Sequence, residues 1–158
     1  MSAKEALFEN IAKAINGAKA MDMPILWAEQ VPHKLGHTIP QISGLLGGLS
    51  PVAKNCFSCM GDDKFVNALN ATGRRNFLIS GIEAHVCVYQ TVRDMLAQGY
   101  NVEIMVDAVS SRDPENKRVG IEKMKDLGAS ITSVEMALFD LLASAESPYF
   151  KDVWRIVK

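Results

Sequence analysis

A chain of 158 residues that is 48% hydrophobic and 22% charged has enough apolar content for one packed domain across 1–158, and too much for disorder. Its 17 basic residues face 18 acidic ones, a formal charge of -1, so no basic surplus marks a nucleic-acid partner. No apolar run is long enough to span a bilayer, no charged-then-apolar leader opens the chain, and three cysteines, an odd number, point to a reducing, cytoplasmic setting rather than a disulfide framework.

Leu7, Ile11, Ala14, Ile15 and Ala18 recur at helical spacing and predict an amphipathic helix over 4–21. Pro24-Ile25-Leu26-Trp27-Ala28 reads as a short buried strand, followed by a Gly- and Pro-rich loop from Glu29 to Pro51. A loop of that length in a compact domain is often functional. Residues 62–71 form the next expected helix, with Asp62 or Asp63 as N-cap. Asn76 to Ser80 is a strand, and the helix after the Gly81 turn carries Val88, Val92, Met95 and Leu96 on one face, with Gly99 placed to stop it. Val102 to Val106 is a strand again. Asp113-Pro114 is an N-cap followed by proline at the first helical position, and that helix carries Val119, Ile121, Met124 and Leu127 before Gly128. Ala129-Ser130-Ile131 is a short strand, Thr132-Ser133-Val134-Glu135 has capping-box spacing, and a last helix covers 148–157. Helices alternating with continuously apolar strands predict an α/β fold, a mostly parallel sheet in three αβα layers. Ligands in such sheets bind beyond the carboxyl ends of the strands.

Cys87 lies just past one such end, in Leu78-Ile79-Ser80-Gly81-Ile82-Glu83-Ala84-His85-Val86-Cys87-Val88. The thiolate is the nucleophilic form of cysteine, and a helix N-terminus favours it through unpaired N–H groups and the helix dipole. The competing reading is a small apolar core residue, a common fate of free cysteine.

Four stretches, in order, resemble the isochorismatase-like cysteine hydrolases, and within them the isochorismatase domain-containing branch. They are Glu29-Gln30-Val31-Pro32 with Leu35-Gly36, Ala53-Lys54-Asn55-Cys56-Phe57-Ser58, Gly81 to Cys87, and Asp107-Ala108-Val109-Ser110-Ser111-Arg112. The resemblance implies Cys87 as nucleophile, Lys54 as its cationic companion, a cis peptide at Ile82–Glu83, and an oxyanion hole from the backbone N–H groups of Glu83 and Cys87. It implies hydrolysis of a small amide or related C–N or ester substrate through a covalent thioester-type intermediate, a homo-oligomer (dimer or higher), and no cofactor. Neither a nucleic-acid nor a membrane partner is expected.

One part of the pattern has no match. The family's general-base Asp sits at the end of a first strand, whereas this chain passes from Met1-Ser2-Ala3-Lys4-Glu5 straight into a helix. A missing central strand would leave its neighbours with unpaired edges. Three accounts stay open: a piece of a longer protein, a complete but impaired binding or scaffold protein of the same fold, or a gap filled by a partner chain. Glu29 and Asp107, both expected near the same rim, are the candidate replacements for the base, with His85 as a further lining residue. Cys56-x-x-Cys59 with His33 and His37 has the elements of a zinc site in an unusual order, but one CxxC with no second pair favours no metal. Gly44, Gly47 and Gly48 lack the strand-to-helix setting of a phosphate loop, and Trp27 and Trp154 read as core or interface aromatics.

Overall fold

The described strands form two parallel sheets, one ladder in the first and two in the second. The computed structural model describes Met1 and residues 3–158. Helix α1 (Lys4–Ala20) leads to β1 (Ala28–Gln30), which pairs with β2 (Val52–Lys54) so that Gln30 lies opposite Lys54. Between them run the short helices α2 (Pro32–Leu35) and α3 (Pro40–Ser43) and a 3₁₀ turn at Gly44–Leu46. Helix α4 (Asp63–Ala71) precedes the second sheet. There β3 (Asn76–Ile82) and β5 (Ser130–Thr132) flank β4 (Asn101–Ser110), and α5 (Tyr89–Ala97) and α6 (Pro114–Asp126) make the crossovers. Helices α7 (Val134–Leu142) and α8 (Phe150–Val157) end the chain.

Alternation along β4 sets the layers. Val102 and Ile104 pack with Phe65 and Leu69 of α4, Val92 and Met95 of α5 and Met124 of α6. Met105 faces the other way, against Val134, Leu138 and Leu142 of α7 and Val153 and Val157 of α8, with Ile11 and Ala14 of α1 beside them. The predicted three-layer α/β arrangement is therefore the observed one. Ile104, fully buried, is its pivot. Ile104→Ala is expected to cost about 2–5 kcal/mol, measured by denaturant unfolding, because the rigid layers on both sides cannot collapse into the cavity.

Several boundaries differ from the sequence expectation. Pro24 to Trp27 precedes the strand, which begins at Ala28, although the Trp27 carbonyl accepts the Val52 N–H at 2.7 Å. Ile25 and Trp27 still pack, against Ile15, Ile42 and Leu46. The span 29–51 is not a bare loop, since it holds two single-turn helices, each with proline at its first position. Three-residue β2 was not anticipated; it is too short to show a period. Asp62 caps α4, accepting from the N–H groups of Lys64 and Phe65, and Ser133 rather than Thr132 caps α7.

β4 runs on to Ser110 because its pairing with β3 slips: Ile79 faces Ile104, but Gly81 faces Val109. The bulge is accommodated at Gly81, whose φ of 125° suits glycine. Each of β1 and β3 has a single ladder partner among the described residues. β3, with one ladder partner, is less buried than β4, which has two. No described helix is long and apolar enough to cross a membrane.

Candidate active site

After Ile82 the chain turns through a cis peptide at Ile82–Glu83 into a five-residue π-turn, Ala84–Val88, which continues as α5. The Glu83 carbonyl accepts the N–H groups of Val86 and Val88. Buried Ala84 and Val88 fasten the turn to the core, and half-buried Cys87 is its fourth residue, between Val86 and Val88.

Cys87 Sγ reaches Gln30 Oε1 at 3.9 Å. The same oxygen accepts from Lys54 Nζ at 2.5 Å, while Gln30 Nε2 donates to the Asn55 carbonyl at 2.8 Å. Lys54, only 4% exposed, donates also to the carbonyls of Cys56 at 3.0 Å and Phe57 at 2.8 Å. All three ammonium protons are thus spent on neutral oxygens. No described carboxylate lies within ion-pair distance of this cation. A buried ammonium held this way leaves net positive charge beside the thiol, a setting suited to a thiolate or to a bound anion. Register places the two partners: β1 and β2 bring Gln30 and Lys54 side by side at their carboxyl ends. Gln30 was quoted in the sequence only as part of a motif; its bridging role depends on this pairing.

The remaining candidates are held by other partners. The Glu83 carboxylate accepts from Arg112 Nε at 2.8 Å. His85 does not pair with Cys87: its Nδ1 lies 2.9 Å from Ser111 Oγ and its Nε2 3.8 Å from Glu83 Oε2. The series Ser111–His85–Glu83 looks like a catalytic triad, but Ser111 is 0% exposed, so the chain braces the turn rather than presenting a serine nucleophile. Both oxygens of Asp107 accept the Val134 N–H, at 2.9 and 3.2 Å, at the start of α7; the bulge in β4 turns this residue toward the helix. Asp107 also lines a hollow of about 170 Å³ with Asn10, Ser110 and Lys117, which shares no residue with the Cys87–Gln30–Lys54 series.

Glu29 fastens the loop after β1. Its Oε1 accepts the Thr38 N–H at 2.7 Å and its Oε2 lies 3.0 Å from His37 Nδ1. Burial pushes its carboxyl up, but the bonds from Thr38 and His37 outweigh that and hold it below the usual 4.5. A depressed acid contributes stability above its unfolded value and loses it as pH falls through the folded one. Acidification below pH 4.5 should therefore release this loop, seen as faster amide exchange at Thr38. Glu29→Gln should exchange fast at neutral pH and show little further change on acidification.

Neither the CxxC pair nor His33 completes a metal site: no group of three His, Cys, Asp or Glu among the described residues is placed to hold an ion. Trp27 Nε1 donates to Thr38 Oγ1 at 2.8 Å, and Trp154, 49% exposed, stacks on Phe150.

The isochorismatase domain model matches residues 1–136. Isochorismatase domain-containing protein 2 of Pongo abelii is 33% identical over 148 residues, covering 93% of this chain and 70% of that protein. The solved structure of MAR1 ribonuclease from Caenorhabditis elegans superposes with a TM-score of 0.90 at 33% identity, covering 97% of this chain and 79% of that one. The YcaC gene product of Escherichia coli, described as an octameric hydrolase of unknown specificity, shares the fold with a TM-score of 0.90 at 17% identity, covering 96% and 75%. By its matching domain and by these relatives, the chain belongs to the isochorismatase family of hydrolase-like α/β proteins.

Proposed function

We propose that this protein is a cysteine-dependent hydrolase of a small amide or a related C–N or ester substrate. The observation that carries the reading is the Cys87–Gln30–Lys54 series, which sets a half-buried thiol beside a buried cation with no carboxylate partner among the described residues. Cys87 Sγ attacks the carbonyl carbon. The N–H groups of Glu83 and Cys87 receive the developing oxyanion. The C–N bond breaks, the leaving amine takes the proton that the Cys87 thiol gave up, and an acyl thioester remains on Cys87. Water then attacks the thioester, releasing the acid and restoring the thiol. Exposed Phe57 and Ile82, next in sequence to residues of the site, supply apolar surface for a small acyl group.

The near balance of charge supports a small molecule over RNA as substrate, although the C. elegans neighbour is titled a ribonuclease. Free cysteines suit a cytoplasmic setting, and exposed Met136, Leu141, Tyr149 and Trp154 on α7, α8 and the loop between them suit a homo-oligomer, as the octameric YcaC structure does.

The test is turnover of a panel of small primary amides and activated esters, with the Cys87 peptide examined by mass spectrometry. Wild type should release amine or alcohol and carry an acyl adduct on Cys87, and Cys87→Ala should do neither. Equal turnover by Cys87→Ala ends the reading. So does a wild type that turns nothing over and whose Cys87 alkylates no faster than Cys56 or Cys59, which leaves the binding or scaffold role.

A further inference from the structure

Two of the chain's cysteines connect to the buried Lys54 ammonium, Cys56 through its carbonyl and Cys87 through Gln30, and the third, Cys59, feels its charge. Cys59 is tied to the helix that carries Cys87: its N–H donates at 2.9 Å to Thr91 Oγ1, and Thr91 lies four residues past Cys87, about one helical turn. Lys54 joins the other side, bonding the Cys56 carbonyl and, through Gln30, Cys87. Cys56 turns back into its own loop, with Sγ only 3.2 Å from the position a Cβ would take on Gly61. Cys59 remains as the thiol facing α5.

We propose that Cys87 and Cys59 form a hydroperoxide-responsive pair, in which the Cys87 thiolate is oxidised and Cys59 resolves it into a reversible disulfide. The proposal rests on the reading of Cys87 as a reactive thiolate. In the first step the Cys87 sulfur attacks the peroxide O–O bond, giving a sulfenic acid and releasing hydroxide or alkoxide, which takes up a proton. The sulfur is oxidised by two electrons and the peroxide reduced by two. In the second step the Cys59 sulfur attacks the sulfenic sulfur, the S–S bond forms, and the hydroxyl leaves as water with the Cys59 proton. The order of events follows from the surroundings. Burial pushes the Cys59 thiol up more than Thr91 and the Lys54 charge pull it down, so Cys59 stays protonated while Cys87 meets the oxidant. Cys59 is tied by its N–H to the helix that follows Cys87, whereas Cys56 Sγ packs against Gly61 in its own loop, which favours the Cys59–Cys87 bridge over a CxxC bridge. Bridging requires the Cys59–Gly61 turn to bring the Cys59 Cα to about 4.4–6.8 Å from that of Cys87. The bridge would remove the nucleophile from catalysis and protect it from irreversible oxidation to the sulfinic acid.

The experiment treats the reduced protein with hydrogen peroxide, then counts free thiols after denaturation and maps the peptides. Wild type should fall from three free thiols to one, yield a Cys59–Cys87 linked peptide, and recover all three with dithiothreitol. Cys59→Ser should form no link, and its Cys87 should proceed to the sulfinic acid, which dithiothreitol does not reverse. Cys59→Ala repeats the measurement, and melting curves show that both variants fold. A Cys56–Cys59 link, or a Cys87 sulfinic acid that accumulates as fast in wild type as in Cys59→Ser, overturns the proposal. Amide turnover is measured before oxidation. Turnover without the bridge rejects the pair alone, and the bridge without turnover rejects the hydrolase reading alone.

Discussion

Lys54→Met should lose at least about two orders of magnitude in amide turnover and in alkylation of Cys87, and Lys54→Arg should recover little of either. Methionine keeps an unbranched stem one atom shorter than lysine's, so most of the cavity stays filled and the change chiefly removes the charge and its three protons. The carbonyls of Cys56 and Phe57 and the amide oxygen of Gln30 would lose their donor in a covered site. A buried acceptor left without a donor costs about 1–3 kcal/mol. Against this stands relief from burying a cation, which is itself several kcal/mol unfavourable. The two effects offset in part, and a net loss near 2 kcal/mol in unfolding free energy is expected. The chemical loss has no such offset. Gln30 is held on one side by Lys54 and on the other by Asn55, and without Lys54 it no longer fixes the environment of Cys87 Sγ. Arginine restores the charge but not the geometry, because a planar fork cannot replace a tripod reaching three converging oxygens. Equal alkylation of Cys87 in wild type and Lys54→Met would show that the buried ammonium serves the loop alone.

What the sequence disclosed, and what it did not, follows from the range of each interaction. Asp62, Asp113 and Gly99 act within a few residues of themselves, so their caps and stops were legible: Asp113 accepts the Glu115 N–H, and Gly99 takes a φ of 76°. The turn that carries Cys87 was legible because strand, glycine and helix are adjacent along the chain. Asp107 was harder. Its type and place suggested a rim acid, but three extra residues in β4 re-aim it toward the Val134 N–H, and a bulge leaves no mark in a run of apolar residues. Glu29 met a similar fate, since its partners Thr38 and His37 lie in a loop whose path the spacing does not specify. Gln30 became visible only when β2, too short to be read, was paired beside it. The resemblance located Lys54 and the cis peptide, which composition and periodicity alone would have left as a surface lysine and an ordinary bond. No apolar strand pattern precedes α1, and β1 and β3 each have one ladder partner among the described residues.

Gly120→Ala should lower amide turnover about 100-fold and reduce stability by about 1–3 kcal/mol, though alanine is the better helix former. Gly120 lies inside α6, where glycine costs roughly 1 kcal/mol relative to alanine, so helix propensity alone predicts a gain. The tertiary contact reverses the sign. A Cβ at this position would fall 2.9 Å from His85 Cα and 3.0 Å from the Ala84 carbonyl carbon and oxygen, which are all backbone atoms of the π-turn and cannot rotate away. Either α6 withdraws and unpacks Met124, fully buried one turn on, or the turn shifts and carries Cys87 with it. The second response misplaces the sulfur and the proposed oxyanion donors together, and displacements near 1 Å cost about 100-fold in rate. Val119→Ala, a neighbouring half-exposed position on the same helix, serves as control and should change turnover little. Circular dichroism and melting of both variants separate a displaced turn from an unfolded protein. A Gly120→Ala protein with native turnover and a raised melting temperature would mean that α6 and the turn do not touch as closely as these distances require.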